Sequence, residues 1–358
     1  MKKVSNLEVG AITYFLIRAY FVGISFRILS NLSLQSSFIS MIVGLIIGIF
    51  YLLLIFYILE YEKDLTIIEK NKKLYGNTIG NILNAFTSFF ILILILLLYT
   101  NILSIIHSEY LNKTPIILIS IYFIITIFYC TKSGIYTISK SCLLLIYISF
   151  ILIIAGNISL LFQIDYNNFM PFNINNKTIF SSLYYLSYNI IPLYMIGIIP
   201  KARINKEKKL KSTILIFYVI ANITLIIENL NIIGILGINL CKLYRFPEFQ
   251  ILKNISLVGL SSRIDSIFFI KYILDIIIFI ILGSYYIIST LKSIIKKRSN
   301  IIIYIYCFIL FIASINLYNT KILNTNTCKS ISIAFCIFMT ISTLFTFYKI
   351  KHPKKVKS

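Results

Sequence analysis

The chain has 358 residues, of which 59% are hydrophobic and only 13% are charged. A soluble domain of average composition is about 45–50% apolar and about 25% charged, so these charges are too few to coat a soluble core. Because apolar stretches recur along the whole chain, the sequence predicts an integral membrane protein. A net charge of +22 would suggest a nucleic-acid partner in a soluble protein, but here the basic residues lie between apolar stretches. That position favours contact with lipid head groups and no nucleic acid.

Ten apolar stretches are long enough to cross a bilayer, which requires roughly 20 residues. The run after Lys3 is longer than that of a signal peptide and lacks a small-residue cleavage site, so it is predicted to be a retained span. In chain order the predicted spans are 9–30, 36–59, 79–106, 115–131, 142–163, 179–199, 213–240, 264–291, 300–318 and 330–349.

The basic residues orient these spans. With the N-terminus inside, and with Lys349 at the end of the last span counted as inside, the inside segments contain 23 of the 34 Lys and Arg residues, the outside loops contain 8, and three lie within spans. Cytoplasmic loops carry an excess of Lys and Arg. Both termini are therefore predicted to be cytoplasmic. A missed span would place half of the loops on the opposite side and erase this bias, which supports the count of ten.

Ten spans divide into five plus five, and an odd number in each half places the halves in opposite orientations. Related halves, about 9–163 and 179–349, would then be inverted repeats, as in LeuT-like secondary transporters, where the first helix of each half is broken at mid-membrane. In the sixth span Ser187 to Pro192 places polar groups and a proline at mid-span, which predicts such a break or a simple kink. The first span offers Gly23 close to Arg18.

Charged residues inside spans mark either a pathway or a paired structural site. Arg18, near the middle of the first span, is either a partner for a ligand carboxylate or an acidic neighbour, or part of a structural ion pair. Glu228 lies near the centre of the seventh span. A buried carboxylate tends to stay protonated, so Glu228 is either the carrier of a coupling proton or a neutral hydrogen-bonding group. Lys271 and Asp275 are four residues apart on one helical face and are predicted to pair with each other.

Other features argue against catalysis. The chain has only two histidines, His107 and His352, and it has neither a phosphate-binding glycine loop nor a nucleophile elbow. No enzyme activity, metal site or cofactor is predicted. The longest external connection, 241–263, has apolar residues at helical spacing, which predicts a short amphipathic helix over the outer face that acts as a lid.

Three short pieces of sequence carry a family resemblance. The first is Tyr244-Arg245-Phe246-Pro247-Glu248-Phe249 with Ile255-Ser256-Leu257 and Arg263-Ile264-Asp265-Ser266-Ile267-Phe268. The others are Phe169-Met170-Pro171-Phe172 and Tyr75-Gly76-Asn77-Thr78-Ile79-Gly80. Over nearly its whole length the chain resembles the B-subunit permease family of bacterial spore germinant receptors, a branch of the amino acid–polyamine–organocation transporter superfamily.

The resemblance implies a germinant-sensing subunit in the spore inner membrane that acts with an A and a C subunit and binds a small nutrient, such as an amino acid, at mid-membrane. The residues predicted for the pocket lie at the two expected helix breaks: Arg18, Gly23, Tyr188, Asn189 and Pro192. The first span lacks the Gly-Ser-Gly turn with which superfamily transporters bind a ligand carboxylate. A proton-coupled amino-acid permease with Glu228 as proton carrier is the alternative, and a purely structural subunit is a third.

Overall fold

A computed structural model describes residues 3–21, 25–171, 174, 176–205, 209–254, 264–296, 300–320 and 325–352, and within these ranges the chain is almost entirely helical. The helices are α1 (Asn6–Phe21), α2 (Ser25–Ser33), α3 (Ser37–Glu60), α4 (Ile67–Ile105), α5 (Ile116–Ser133), α6 (Ile135–Leu161), α7 (Asn176–Met195), α8 (Leu210–Leu243), α9 (Pro247–Gln250), α10 (Ile264–Ile295), α11 (Ile301–Thr320) and α12 (Thr325–Lys351).

Eight segments of the described chain are long and apolar enough to cross a membrane. They correspond to the predicted second to fifth and seventh to tenth spans, so the prediction of an all-α integral membrane protein is confirmed. The segments are Ser25–Glu60, Ile67–Tyr110, Ile116–Ser133, Ile135–Leu161, Leu210–Leu243, Asp265–Ile295, Ile301–Thr320 and Lys329–Lys351.

The predicted first span corresponds to α1 and α2, and the predicted sixth span corresponds to α7. Other helices enclose α1 and α7. Every residue from Val9 to Ala19 and from Tyr184 to Met195 is buried. Contacts with α6, α7, α8 and α10 cover α1, while α7 packs against α3, α12, α1 and α2. A helix enclosed by protein needs no lipid-compatible surface, so α1 and α7 can carry polar side chains such as Arg18 and Asn189 in their buried stretches.

Only one of the two predicted helix breaks lies within the described residues. Between α1 and α2 the chain passes through residues 22–24, so Gly23 lies outside the described residues. In contrast, α7 is helical from Asn176 through Pro192 to Met195 and ends in a 3₁₀ turn at Ile196–Ile198. Of the two alternatives, a break or a simple kink at 187–192, the break is not observed, because Pro192 lies within one continuous helix. Proline has no backbone N–H, so Pro192 makes no helical hydrogen bond to the carbonyl four residues earlier.

Corresponding helices of the two predicted halves make corresponding contacts. Helix α1 packs against α8 and α6, just as α7, its counterpart in the second half, packs against α3 and α12. Helix α10 contacts α5 and α6, and its counterpart α4 contacts α11 and α12. The contact between α4 and α10 joins the two counterparts directly.

Two glycines bend long helices, one in each predicted half of the chain. Gly76 in α4 has φ 80° and ψ 167°, and Gly237 in α8 has φ 66° and ψ 165°. Side-chain-bearing residues essentially never adopt this backbone region. Each bend separates a short arm from the rest of its helix. One arm is Ile67–Tyr75, at one end of the bundle, and the other extends from Ile238 towards Asn254, at the opposite end.

We expect Gly76→Ala to lower the free energy of unfolding by about 1–3 kcal/mol through backbone strain. Nothing lies within 4 Å of the position that a Cβ would take at Gly76, so crowding does not contribute to this loss. Unfolding of the detergent-purified chain measures the effect, with Asn77→Ala on the neighbouring exposed residue as the control, for which a change within about 0.5 kcal/mol is expected. Equal stability of the two variants would contradict the strain.

Two glycines one helical turn apart bring α3 close to α7 and α8. A Cβ at Gly44 would lie 2.7 Å from the ring of Tyr185 on α7, and one at Gly48 would overlap the hydroxyl of Tyr218 on α8. Small residues four apart allow helices in membranes to approach closely. This contact holds Tyr185 and Tyr218 beside the polar interior of the bundle.

Candidate functional site

Four charged side chains meet in the interior between α1, α8 and α10, and we call Arg18, Glu228, Lys271 and Asp275 the charge quartet. Arg18 donates from Nε to Asp275 Oδ2 at 3.0 Å and from Nη2 to Glu228 Oε1 at 2.8 Å. Its Nη1 donates to Thr224 Oγ1 at 2.6 Å. Lys271 Nζ donates to the same oxygen of Glu228 that accepts from Arg18.

Burial makes these pairings obligatory. The side chains of Arg18 and Asp275 are 0% exposed, and those of Glu228 and Lys271 are 3% and 6% exposed. An isolated buried charge costs several kcal/mol, and removing one partner of a buried pair leaves that cost uncompensated. With two cations and two anions the quartet is formally neutral, which allows it to exist in the core of the bundle.

The quartet corrects one pairing predicted from the sequence. Lys271 and Asp275 do lie on α10 four residues apart, but Lys271 pairs with Glu228 of α8 and Asp275 pairs with Arg18 of α1. Arg18 does have the predicted acidic neighbours, and each of its three guanidinium nitrogens has an acceptor. The quartet therefore connects the central helix α1 to two surrounding helices.

Two carboxylate oxygens of the charge quartet accept no hydrogen bond from the described residues. Among the described residues, Glu228 Oε2 and Asp275 Oδ1 are buried and have no hydrogen-bond partner. A cavity of about 20 Å³ adjoins Glu228 and Lys271 and is also lined by Asn157 and Tyr272. A cavity needs about 10–15 Å³ to accommodate one water molecule. The site thus has spare acceptors and room for about one water, and in this conformation it is too small for a nutrient.

Residues of the segment 241–263, which the sequence predicts to be external, cover this cavity. Predicted as part of one amphipathic helix, they instead form the short helix α9 and a 3₁₀ turn, Ile251–Asn254, while residues 255–263 lie outside the described ranges. Ile251 and Leu252, which are 1% and 4% exposed, line the cavity together with Phe268 of α10. The apolar cover separates the quartet from the face of the bundle on which the segment lies.

A second polar group lies on α7 and α8. The hydroxyl of Tyr185 donates to Asn222 Oδ1 at 2.5 Å, and Asn222 Nδ2 donates to the carbonyl of Tyr218 at 2.9 Å. Asn189 Nδ2 donates to the carbonyl of Tyr185 at 3.2 Å, while its buried Oδ1 has no partner among the described residues. Tyr185 also interacts electrostatically with Arg18, so this group adjoins the charge quartet.

The remaining predicted pocket residues lie elsewhere on α7. The Tyr188 hydroxyl lies 2.6 Å from that of Tyr184 and accepts from Ser332 of α12 at 3.2 Å. Pro192 is buried one turn further along α7. Arg18 and Asn189 thus lie in two adjoining polar groups, the charge quartet and the polar group on α7 and α8. The hydroxyl of Tyr188 lies beside α12 instead.

Three members of the site were not predicted from the sequence: Tyr185, Asn222 and Thr224. For Thr224 a signal was present, because it precedes Glu228 by four residues and so shares its helical face. For Tyr185 and Asn222 the signal is weak in a chain with 26 tyrosines, and only tertiary packing selects these two.

An all-α bundle with two enclosed central helices and a buried cluster of charges defines a transporter-like integral membrane protein. A model of the family described as "Spore germination protein", the spore germination permeases, matches residues 10–323. The chain therefore belongs to the spore germination permease family, which is a family of permease-like membrane proteins and not a class of enzymes. Comparison with curated proteins gives no match.

Proposed function

We propose that this chain is the membrane subunit of a spore germinant receptor and that a small nutrient, such as an amino acid, binds between its central helices and triggers germination. The family supports a role in germination. In this proposal the chain lies in the spore inner membrane with both termini cytoplasmic, and it acts with A and C subunits. Neighbouring genes for a soluble-headed membrane subunit and a lipoprotein would support that assembly.

The observation that carries the proposal is the chemistry of the charge quartet. A zwitterionic amino acid has no net charge, so its insertion would leave the quartet neutral, which burial requires. Its carboxylate would compete with Asp275 and Glu228 for Arg18, and its ammonium group would donate to the two unfilled carboxylate oxygens. Since Arg18 lies three residues before the end of α1, exchange of its partners would release that helix from α8 and α10.

Ligand access in this proposal requires movement of the outer segment. The cavity beside Glu228 has about 20 Å³, and its cover consists of buried apolar side chains of the segment 241–263. Displacement of Ile251 and Leu252 would open a path to the quartet. This supports the lid role proposed for that segment.

Asn189 provides the most direct test of the pocket, which we propose comprises Arg18, Gly23, Tyr188, Asn189 and Pro192. Asn189→Leu removes the unpartnered buried acceptor, and an unmade buried hydrogen bond costs about 1–3 kcal/mol. We therefore expect the germinant concentration for half-maximal response to rise about tenfold. Germination of spores that carry the variant, measured across a nutrient concentration series, gives this value.

The matched control for Asn189→Leu is Asn316→Leu, an identical substitution at an exposed position on α11. Both chains should accumulate to the wild-type level. An unchanged concentration response of Asn189→Leu at normal protein level would rule out this pocket.

The alternative is a proton-coupled amino-acid permease, which is favoured by one observation. Glu228 has an unfilled oxygen and lines a cavity with room for one water molecule, as a proton carrier would require. Uptake of labelled amino acid into proteoliposomes that is abolished by Glu228→Gln would establish this function. Absence of uptake with all nutrients tested, together with ligand binding in a direct titration, favours the sensor; absence of binding favours a purely structural subunit.

A further inference from the structure

An apolar groove opens on the lipid-facing side of the bundle between α4, α10 and α11. Its volume is about 450 Å³, and its walls include Phe89, Leu92, Ile287, Ile294, Ile305 and Ile309. On α10 the groove extends from Ile287 to Ile295, which is about 12 Å at 1.5 Å per residue. One leaflet of hydrocarbon is about 15 Å thick, so the groove spans most of a single leaflet.

Positive charge surrounds one end of this groove. Lys296 is exposed and directly follows Ile295, the last groove residue of α10. Lys72, on the arm that precedes the Gly76 bend, donates from Nζ to the carbonyl of Ser293 at 2.7 Å. Lys72 and Lys296 interact electrostatically. The acidic group in range of Lys72 is Glu69, which is engaged in the capping box with Thr66 at the start of α4.

We propose that this groove is a binding site for one phospholipid with an anionic head group, with an acyl chain along the groove and the phosphate at Lys72 and Lys296. The groove would otherwise be an empty apolar space of about 450 Å³. Apolar cavities do not retain water, and its walls lose dispersion contacts unless hydrocarbon fills it.

Charge complementarity selects the head group. Two lysines that lie close together repel each other, and the phosphate of an anionic lipid relieves this repulsion. Each basic residue near a membrane surface contributes about a fivefold preference for anionic over neutral lipid. The lysines lie at the end of the bundle that the charge distribution predicts to be cytoplasmic.

Native mass spectrometry of the purified full-length chain, titrated with phosphatidylglycerol or phosphatidylcholine, tests the proposal. We expect the wild type to retain phosphatidylglycerol in preference to phosphatidylcholine. In the double variant Lys72→Ala, Lys296→Ala this preference should fall about fivefold for each lysine removed. The control Lys209→Ala, Lys211→Ala removes the same charge at exposed positions on or beside α8, which does not line the groove, and should retain the preference. Equal retention of both lipids by the wild type would overturn the proposal.

A second pair of variants tests the groove independently of charge. Ala85 lines the groove, so Ala85→Phe should block the acyl chain and abolish lipid retention. Ala155→Phe, at an exposed alanine on α6, should have no effect. Undiminished retention by Ala85→Phe would overturn the proposal by assigning the preference to surface charge alone. Undiminished retention with loss of a co-purifying subunit would identify the groove as a docking site for a partner helix instead.

Discussion

Arg18→Met is expected to lower both the thermal stability of the chain and its abundance in the membrane. The substitution leaves Asp275 and Glu228 without the guanidinium that bonds both of them, and one cation, Lys271, then faces two anions. Breaking a buried ion pair by removal of one partner costs about 3–5 kcal/mol. Since single domains are stable by only about 5–15 kcal/mol, a loss of this size reduces abundance as well as thermal stability.

Arg27→Met is the matched control for this prediction. Arg27 lies nine residues along the same stretch on α2, is partly exposed, and donates from Nε to the carbonyl of Lys242 at 2.9 Å. A hydrogen bond of this kind contributes about 0.5–3 kcal/mol. Quantitative immunoblotting of membranes and thermal unfolding in detergent compare the two variants, and equal abundance and stability would show that the quartet does not hold the bundle together.

The sequence was informative about the quartet members but not about their pairing. A charge within an apolar run is conspicuous because burial there is costly, which is why Arg18, Glu228, Lys271 and Asp275 were all found. Their partners depend on tertiary packing. Arg18 is separated from Glu228 by 210 residues and from Asp275 by 257 residues, and local spacing therefore suggested the wrong pair on α10.

The same distinction applies to the fold. Hydropathy located the outer spans because lipid contact imposes apolar composition on them. The central helices escape that constraint, so their course was harder to predict. Pro192 is compatible with both a helix break and a continuous helix, and only the packing around α7 decides between them. The bends at Gly76 and Gly237 were missed because a glycine requires a particular backbone conformation only in a given tertiary context.

The charge balance of the quartet leads to the second large effect, in which two damaging substitutions compensate each other. Glu228→Gln leaves two cations with one anion, and Lys271→Met leaves one cation with two anions. Each is expected to lower the free energy of unfolding by about 3–5 kcal/mol. The double variant retains the neutral pair of Arg18 and Asp275, and the amide oxygen of Gln at position 228 can still accept from Arg18 Nη2.

We therefore expect the double variant to unfold within about 1 kcal/mol of the wild type, since replacing a buried pair by neutral groups is often close to neutral. Thermal unfolding of the four proteins in the cycle gives the coupling between Glu228 and Lys271. Additive losses in the double variant would contradict the pairing, because groups that do not interact show no coupling.

The folded double variant then separates stability from function. If Glu228 serves only to balance Lys271, spores that carry the double variant will respond to nutrient as the wild type does. In the proposed function Glu228 also provides an acceptor for the ammonium group of the nutrient, and a neutral amide cannot replace a carboxylate there because charge-assisted hydrogen bonds are about twice as strong as neutral ones. We therefore expect the half-maximal germinant concentration to rise at least about tenfold at normal protein level, which a loss of stability would not explain.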